Sequence, residues 1–216
     1  MTLFLFFASY FKTQRALQWW TQRQARQLSN EAEKIRDGLL QESFAIRRSL
    51  ELSNSAEISP KISLDLLNQI EQLYRSLEQL SEQIFPLYLD HSLPLAIQSL
   101  VELWRSRNPR LSWQLDLPTE WRHDCSEHRI TVLKVLEELL EITSSQLSTE
   151  TPVYISLKLQ GNVVKLIVHT TYSDASSLIS NAKELEYLSQ TFRFLTAGRC
   201  FRRRNALKVA WYFSWA

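Results

Sequence analysis

The stretch "VYISLKLQGNVVKLIV", residues 153–168, decides the fold class of this chain. Apolar residues of high strand propensity lie on both sides of Gln160, Gly161 and Asn162. A glycine followed by an asparagine between two such runs is typical of the tight turn of a β-hairpin. The stretch therefore predicts two antiparallel strands.

The segments on either side of this hairpin predict a two-layer domain. Helical spacing of apolar residues occurs at 92–107, 126–147 and 182–197. Strict alternation, which is typical of half-buried strands, occurs at 111–117 and 207–215. Gly198 suits a helix C-cap. This order predicts a mixed sheet with its helices on one face, within a domain of about 120 residues.

The residues before 90 predict a helical hairpin. Apolar residues recur at intervals of three and four over 28–52 and 63–85, and Pro60 lies in the loop between them. One hairpin cannot bury both stripes, so we expect two copies to pair as a four-helix dimer. The residues expected in the dimer interface are Leu39, Ile46, Leu50, Leu66, Ile70, Leu73, Leu77 and Leu80.

The N-terminus, "MTLFLFFASYFKTQRALQWW", predicts contact with a membrane surface. Its apolar run is shorter than the roughly 20 residues that span a bilayer, and its basic residues follow the run. The alternatives are packing on a partner or a second copy, or the remainder of a span whose beginning lies upstream. The predicted organisation is a membrane-proximal segment at 1–24, the hairpin region at 25–88 and the α/β domain at 89–216.

The composition excludes several kinds of site. Only three glycines occur in 216 residues, Gly38, Gly161 and Gly198, and none lies near another. This excludes a P-loop and a dinucleotide-binding fingerprint. A formal net charge of +2 gives no electrostatic reason to expect nucleic acid. Two distant cysteines, Cys125 and Cys200, predict reduced thiols.

Three segments carry a resemblance to a known family. Residues 31–53, "EAEKIRDGLLQESFAIRRSLELS", resemble the phosphoacceptor helix of sensor histidine kinases of the nitrate-sensor and degradation-sensor type. The match covers Asp37, Gly38, Leu39, Leu40 and Gln41. Residues 84–104 are similar to the family's connecting segment, and residues 131–146 to its nucleotide-binding helix. The resemblance implies a dimerisation hairpin followed by an α+β sandwich of the histidine-kinase ATPase type.

The departures from the family pattern imply lost chemistry. Arg36 stands where the family has its phosphoacceptor histidine, and a guanidinium has no free lone pair with which to attack phosphorus. Glu141 stands at the family's magnesium-binding asparagine, while Glu138 keeps an acidic position of that helix. Asp174 lies several residues late for the adenine-binding aspartate. The glycine-rich lid is replaced by "SDASSLISNAKELEYL", residues 173–188.

Two other motifs could form binding sites, but a structural interpretation is favoured for each. "HDCSEH", residues 123–128, matches no closed zinc-binding spacing, so a polar loop is favoured over a metal site. "GRCFRRRN", residues 198–205, contains four arginines and could bind an acidic partner, anionic lipid or nucleic acid. A solvated hairpin is the favoured interpretation, because no aromatic platform is evident beyond Phe201.

The sequence therefore predicts a non-catalytic, homodimeric, histidine-kinase-like protein without cofactor or metal. It would dock a kinase, a response regulator or a membrane complex from the cytoplasm or the cytoplasmic side of a membrane. Arg36, Asp37, Gly38 and Gln41 are the candidate partner-binding residues, and nucleic acid is not an expected partner. The alternatives are a two-component sensor kinase with a divergent site and a structural subunit of a membrane complex.

Overall fold

The computed structural model of this protein describes residues 2–53, 66–77, 92–121, 126–174 and 176–216. The chain divides into two units, one formed by Met1–Thr21 with Leu87–Ala216 and the other by Gln22–Pro86.

The unit at Gln22–Pro86 is helical. Helix α1 (Thr2–Lys34) passes through one π-helical turn (Ile35–Leu39) into helix α2 (Leu40–Ser53), and helix α3 covers the described residues 66–77.

Helices α2 and α3 run antiparallel. The Ser49 hydroxyl donates to the Gln69 side chain at 3.2 Å, and the Ser76 hydroxyl donates to Glu42 at the same distance. Later residues of α2 therefore contact earlier residues of α3, as expected for the predicted hairpin. The predicted loop around Pro60 and the seam position Leu80 lie outside the described residues.

The other unit contains one five-stranded sheet. Its elements in chain order are α4 (Leu93–Arg107), β1 (Trp113–Asp116), α5 (Ser126–Thr143), β2 (Val153–Gln160), β3 (Val163–Thr171), α6 (Ser177–Ser180), α7 (Ala182–Thr196), β4 (Arg199–Asn205) and β5 (Lys208–Trp215). The strand order is β1-β2-β3-β5-β4. Only the pair β1 and β2 is parallel among these strands. The predicted α+β fold class, a helical N-terminal region followed by a mixed sheet, is confirmed.

The core lies between one face of the sheet and helices α4, α5 and α7. Alternate residues of β3 and β5 point into it, and they meet buried side chains of α5 and α7. The largest of these fully buried side chains are Trp211, Phe192, Phe213, Leu136, Leu140 and Leu166. Burial of apolar surface at about 25 cal/mol per Å² stabilises this layer. Among the described helices, those that pack on the sheet lie on this one face.

Two local predictions are wrong. The helical spacing of apolar residues over 126–147 places Ile130 on the buried stripe of α5, but Ile130 is 41% exposed. Gly198 was expected as the left-handed C-cap of α7, but Ala197 takes that conformation, with φ of 50°. Gly198 is required by a close approach instead. A Cβ there would overlap the Ser214 carbonyl oxygen and lie 2.7 Å from Thr196 Oγ1.

The N-terminal helix packs on the α/β unit in a way that the sequence did not predict. Ala16 is fully buried, and its carbonyl accepts a hydrogen bond from Thr191 Oγ1 at 3.3 Å. The Trp19 ring lies 6.0 Å from the Tyr187 ring, and Trp20 also packs against the core. The Trp19 indole therefore packs on helix α7.

Candidate functional site

The phosphoacceptor-like segment forms the π-helical turn Ile35–Leu39. This turn contains Arg36, Asp37 and Gly38, and a locally widened helix of this kind is frequent at functional sites. Asp37, Gly38 and Gln41 are exposed. A Cβ added at Gly38 would meet nothing within 4 Å, so packing inside the chain does not require a glycine there. The turn presents an open, polar stretch of helix surface.

The helix that resembles the nucleotide-binding helix is α5, and its two key carboxylates have different surroundings. Glu138 is 1% exposed and faces the core, whereas Glu141 is exposed near the helix C-terminus. Lys134 pairs with Glu137, one turn back, at 2.9 Å. An ionised carboxylate only accepts hydrogen bonds, so Glu141 cannot donate to a phosphate as an asparagine amide can.

Asp174 lies in the loop after β3 and is hydrogen-bonded to serine hydroxyls that are close to it in sequence. Its carboxylate accepts hydrogen bonds from the Ser176 hydroxyl at 2.6 Å and from the Ser173 hydroxyl at 3.3 Å. Ser173 in turn donates its amide to the Gln146 carbonyl at 3.0 Å, and Tyr172 pairs with Leu147. Asp174 is therefore engaged in the turn that starts α6.

The segment that replaces the lid is bound directly to the C-terminal end of α5. The Asn181 side-chain amide donates to the Ile142 carbonyl at 2.6 Å, and the Gln146 amide donates to the Ser180 hydroxyl at 2.9 Å. The last carbonyls of a helix lack donors within the helix. The Asn181 amide supplies a donor to one of them, that of Ile142. The two elements between which the resemblance places a nucleotide thus bond to each other.

The predicted dimer seam is largely open in the single chain. Of its described positions, Ile46 is buried and Leu39, Leu66 and Leu73 are half-buried. Leu50, Ile70 and Leu77 are 43%, 44% and 46% exposed. The hairpin alone therefore leaves apolar surface uncovered along both helices.

The remaining candidate groups are not assembled for chemistry in the part of the chain that is described. No group of three or more His, Cys, Asp or Glu side chains there is arranged to hold a metal ion. Burial raises the pKa of the Cys200 thiol to about 11, so little of the nucleophilic thiolate exists near neutral pH. Four of the candidate residues lie outside the described part of the chain: His91, His123, Asp124 and Cys125. Among the described helices, none is long and apolar enough to cross a bilayer.

One surface was missed by the sequence reasoning. The face of the sheet opposite the helices carries Tyr154, His169, Tyr212 and Phe201 in neighbouring positions of four strands. Alternation in the sequences of β3 and β5 indicates that the residues pointing away from the core are polar or aromatic. It does not show that the four rings are neighbours, because this depends on the strand order and register.

Three solved structures that are similar to this chain are those of histidine kinases. No protein-family model and no curated protein matches the chain. Among solved structures, it is similar to the histidine kinase AdeS of Acinetobacter baumannii, with 14% identity over 81% of this chain and 94% of that chain, at a TM-score of 0.48.

Two further solved structures are similar. The catalytic domain of the histidine kinase ThkA shares 12% identity over 55% of this chain and 87% of that chain, at a TM-score of 0.45. The blue-light activated histidine kinase of Erythrobacter litoralis shares 11% identity over 84% of this chain and 59% of that chain, at a TM-score of 0.47.

Proposed function

We propose that this chain is a histidine-kinase-like protein of two-component signalling that has no phosphotransfer chemistry and acts as a docking or scaffold module. The observation that carries the proposal is the direct bonding of the lid-like segment to the end of α5, through Asn181 and Ile142, and to the turn that follows α5, through Ser180 and Gln146. These bonds link the two elements that would have to separate around a nucleotide.

The chemistry of the residues supports the same proposal. Binding a triphosphate requires donors and magnesium to neutralise its charge. This chain offers the exposed carboxylate of Glu141 at the aligned position, and it has no glycine between 162 and 197 to let backbone amides approach phosphates. Arg36 in place of the histidine removes the phosphoryl acceptor from the other unit. The defects lie in separate elements and reinforce each other.

The scaffold role rests on two surfaces. The uncovered apolar residues of α2 and α3 favour a homodimer, because pairing two hairpins buries them. The exposed residues Asp37 and Gly38 of the π-helical turn, together with Gln41 at the start of α2, form the docking surface for a kinase or response regulator. The proposal also includes contact with a membrane through Tyr10 and Phe11. Their side chains are 51% and 56% exposed, and they directly precede Lys12.

Calorimetry with magnesium-ATP on the full chain tests the loss of nucleotide binding. We expect no saturable heat for the wild type, and none for Glu141→Asn, because the lid-like segment would still be bonded to the end of α5. Glu137→Gln is the matched control, because it also replaces a carboxylate of α5 by an amide, one helical turn before Glu141.

A dissociation constant below about 100 μM, or about −5.5 kcal/mol, for the wild type would contradict this proposal. It would favour the alternative of a sensor kinase with a divergent site. Recovery of the chain in a stable membrane complex, without any kinase or response regulator, would instead favour the structural-subunit alternative.

A further inference from the structure

The sheet face opposite the helices, here named the open sheet face, has no covering element among the described residues. It consists of the alternate residues of each strand that do not enter the core. They are Gln114 and Asp116 of β1, Tyr154, Ser156, Lys158 and Gln160 of β2, Val163, Lys165, Ile167, His169 and Thr171 of β3, Arg199, Phe201, Arg203 and Asn205 of β4, and Lys208, Ala210, Tyr212 and Ser214 of β5.

Four rings form a row across this face. The Tyr154 and His169 ring centroids are 5.4 Å apart, and those of His169 and Tyr212 are 6.5 Å apart. Tyr212 and Phe201 are stacked, with centroids 4.8 Å apart and planes 12° apart. The row crosses strands β2, β3, β5 and β4 in turn, and Phe201 at its end is 46% exposed. It is the aromatic platform that the sequence around Phe201 did not reveal.

Cations surround the row, and most of them have no acidic partner among the described residues. Lys158 pairs with Asp116 at 3.1 Å. Asp116 also accepts hydrogen bonds from Tyr154 at 2.8 Å and from Ser156 at 3.0 Å, and these contacts lower its pKa, with the Tyr154 bond as the largest cause. It is the only acidic residue in the five strands.

The other four cations of the face are Lys165, Arg199, Arg203 and Lys208. Within the described residues, none of them forms a salt bridge. The Arg203 guanidinium lies 5.8 Å from the Tyr212 ring centroid and 5.9 Å from that of Phe201. The face therefore combines an excess positive charge with rings that are accessible beside it.

The face is concave. One cavity of about 820 Å³ is lined by Tyr154, His169, Arg203 and Lys208, among others. A second, of about 690 Å³, is lined by Lys165, Phe201, Arg203 and Tyr212, among others. Arg203 borders both, so the two cavities lie on either side of one guanidinium and together follow the row of rings.

We infer that the open sheet face binds single-stranded nucleic acid, with bases on the aromatic row and phosphates on the four cations. A row of rings within a positively charged groove is the arrangement by which proteins bind single strands, because every base has a π-face and every nucleotide a phosphate. An acidic protein segment would match the cations, whereas each nucleotide necessarily brings both a base for a ring and a phosphate for a cation.

Fluorescence anisotropy on the full chain tests this inference, with labelled oligo(dT) and oligo(U) of about ten nucleotides. We expect saturable binding at low salt. Single strands lose affinity with a log–log salt slope of about −0.7 per phosphate neutralised, so four cations predict a slope of about −3.

Two variants separate the charge from the rings. Arg203→Gln should weaken binding and make the salt slope shallower by about 0.7, because one phosphate contact is lost. Phe201→Leu should weaken binding by about fivefold to tenfold at an unchanged slope, because a stacking surface is lost without charge. Circular dichroism of each variant checks that the sheet remains folded.

Arg202→Gln is the matched control. Arg202 is the next residue of β4, but it points to the helix side, where its guanidinium lies 5.6 Å from the Trp211 ring centroid. The same loss of charge there should change affinity less than about twofold, which is the change expected from long-range electrostatics alone.

Several results would overturn the inference. One is no saturable binding of either oligonucleotide at protein concentrations up to about 100 μM, the weak end of non-specific binding. Another is equal weakening by Arg202→Gln and Arg203→Gln. Binding to phosphatidylserine vesicles without binding to oligonucleotide would assign the face to a membrane. Binding of polyglutamate as tightly as oligonucleotide, insensitive to Phe201→Leu, would assign it to acidic proteins.

Discussion

Gly198 and Gly38 are two glycines of this chain with opposite surroundings. At Gly198, the backbone of β5 and the end of α7 leave no room for a methyl group. At Gly38, the helix surface is open. Sequence reasoning assigned the first to a cap and the second to a family pattern, because spacing along the chain contains no information on how closely two elements approach.

Gly198→Ala should therefore destabilise the α/β unit by about 1–3 kcal/mol, since the new methyl group would displace the Ser214 carbonyl. All seven tryptophans lie in the same unit as Gly198, so their fluorescence during urea unfolding reports on that unit alone.

Gly38→Ala is the matched control in the other unit. It should leave the fluorescence transition unchanged and raise helical stability, measured by circular dichroism, by up to about 1 kcal/mol. Equal stability of Gly198→Ala and the wild type would show that the close approach to Ser214 does not exist.

At the scale of elements, the helical hairpin and the sheet were predictable for different reasons. Repeated three- and four-residue spacing identified α2 and α3, and alternation identified β1 and β5, because each period maps onto one buried face. Strands β2 and β3 were identified by the apolar runs on either side of the turn at Gly161. Strand β4 lacks this signal. Only Cys200 of its seven residues is buried, so its polar sequence resembles a loop. It is a strand because β5 pairs with it.

The hairpin also gives the element-scale prediction. Leu73→Glu should convert the proposed dimer to a monomer, because a carboxylate in the seam would be buried without a partner at a cost of several kcal/mol. Gln72→Glu adds the same charge at an exposed neighbouring position and should leave the dimer intact. Light scattering at micromolar concentration distinguishes the two. A monomeric wild type, or equal dissociation by both variants, would show that the seam is not the interface.

At the scale of the whole molecule, contacts between distant segments were beyond sequence reasoning. Ala16 and Thr191 are 175 residues apart, and nothing in either segment indicates that they meet. The same holds for the bond from Asn181 to Ile142 and for the row of rings on the open sheet face, which depends on strand order. The α+β layout was predictable because local periodicity determines it, whereas the sites depend on tertiary neighbours.

The central claim, a kinase-like chain without phosphotransfer chemistry, is tested most directly by incubating the full-length Arg36→His variant with magnesium and γ-labelled ATP. The account predicts no acid-labile label on this variant or on the wild type, because restoring the acceptor in the π-helical turn leaves Glu141 and the bonded lid-like segment unchanged. Acid-labile label on the Arg36→His variant, absent when heat-denatured protein is used, would contradict it.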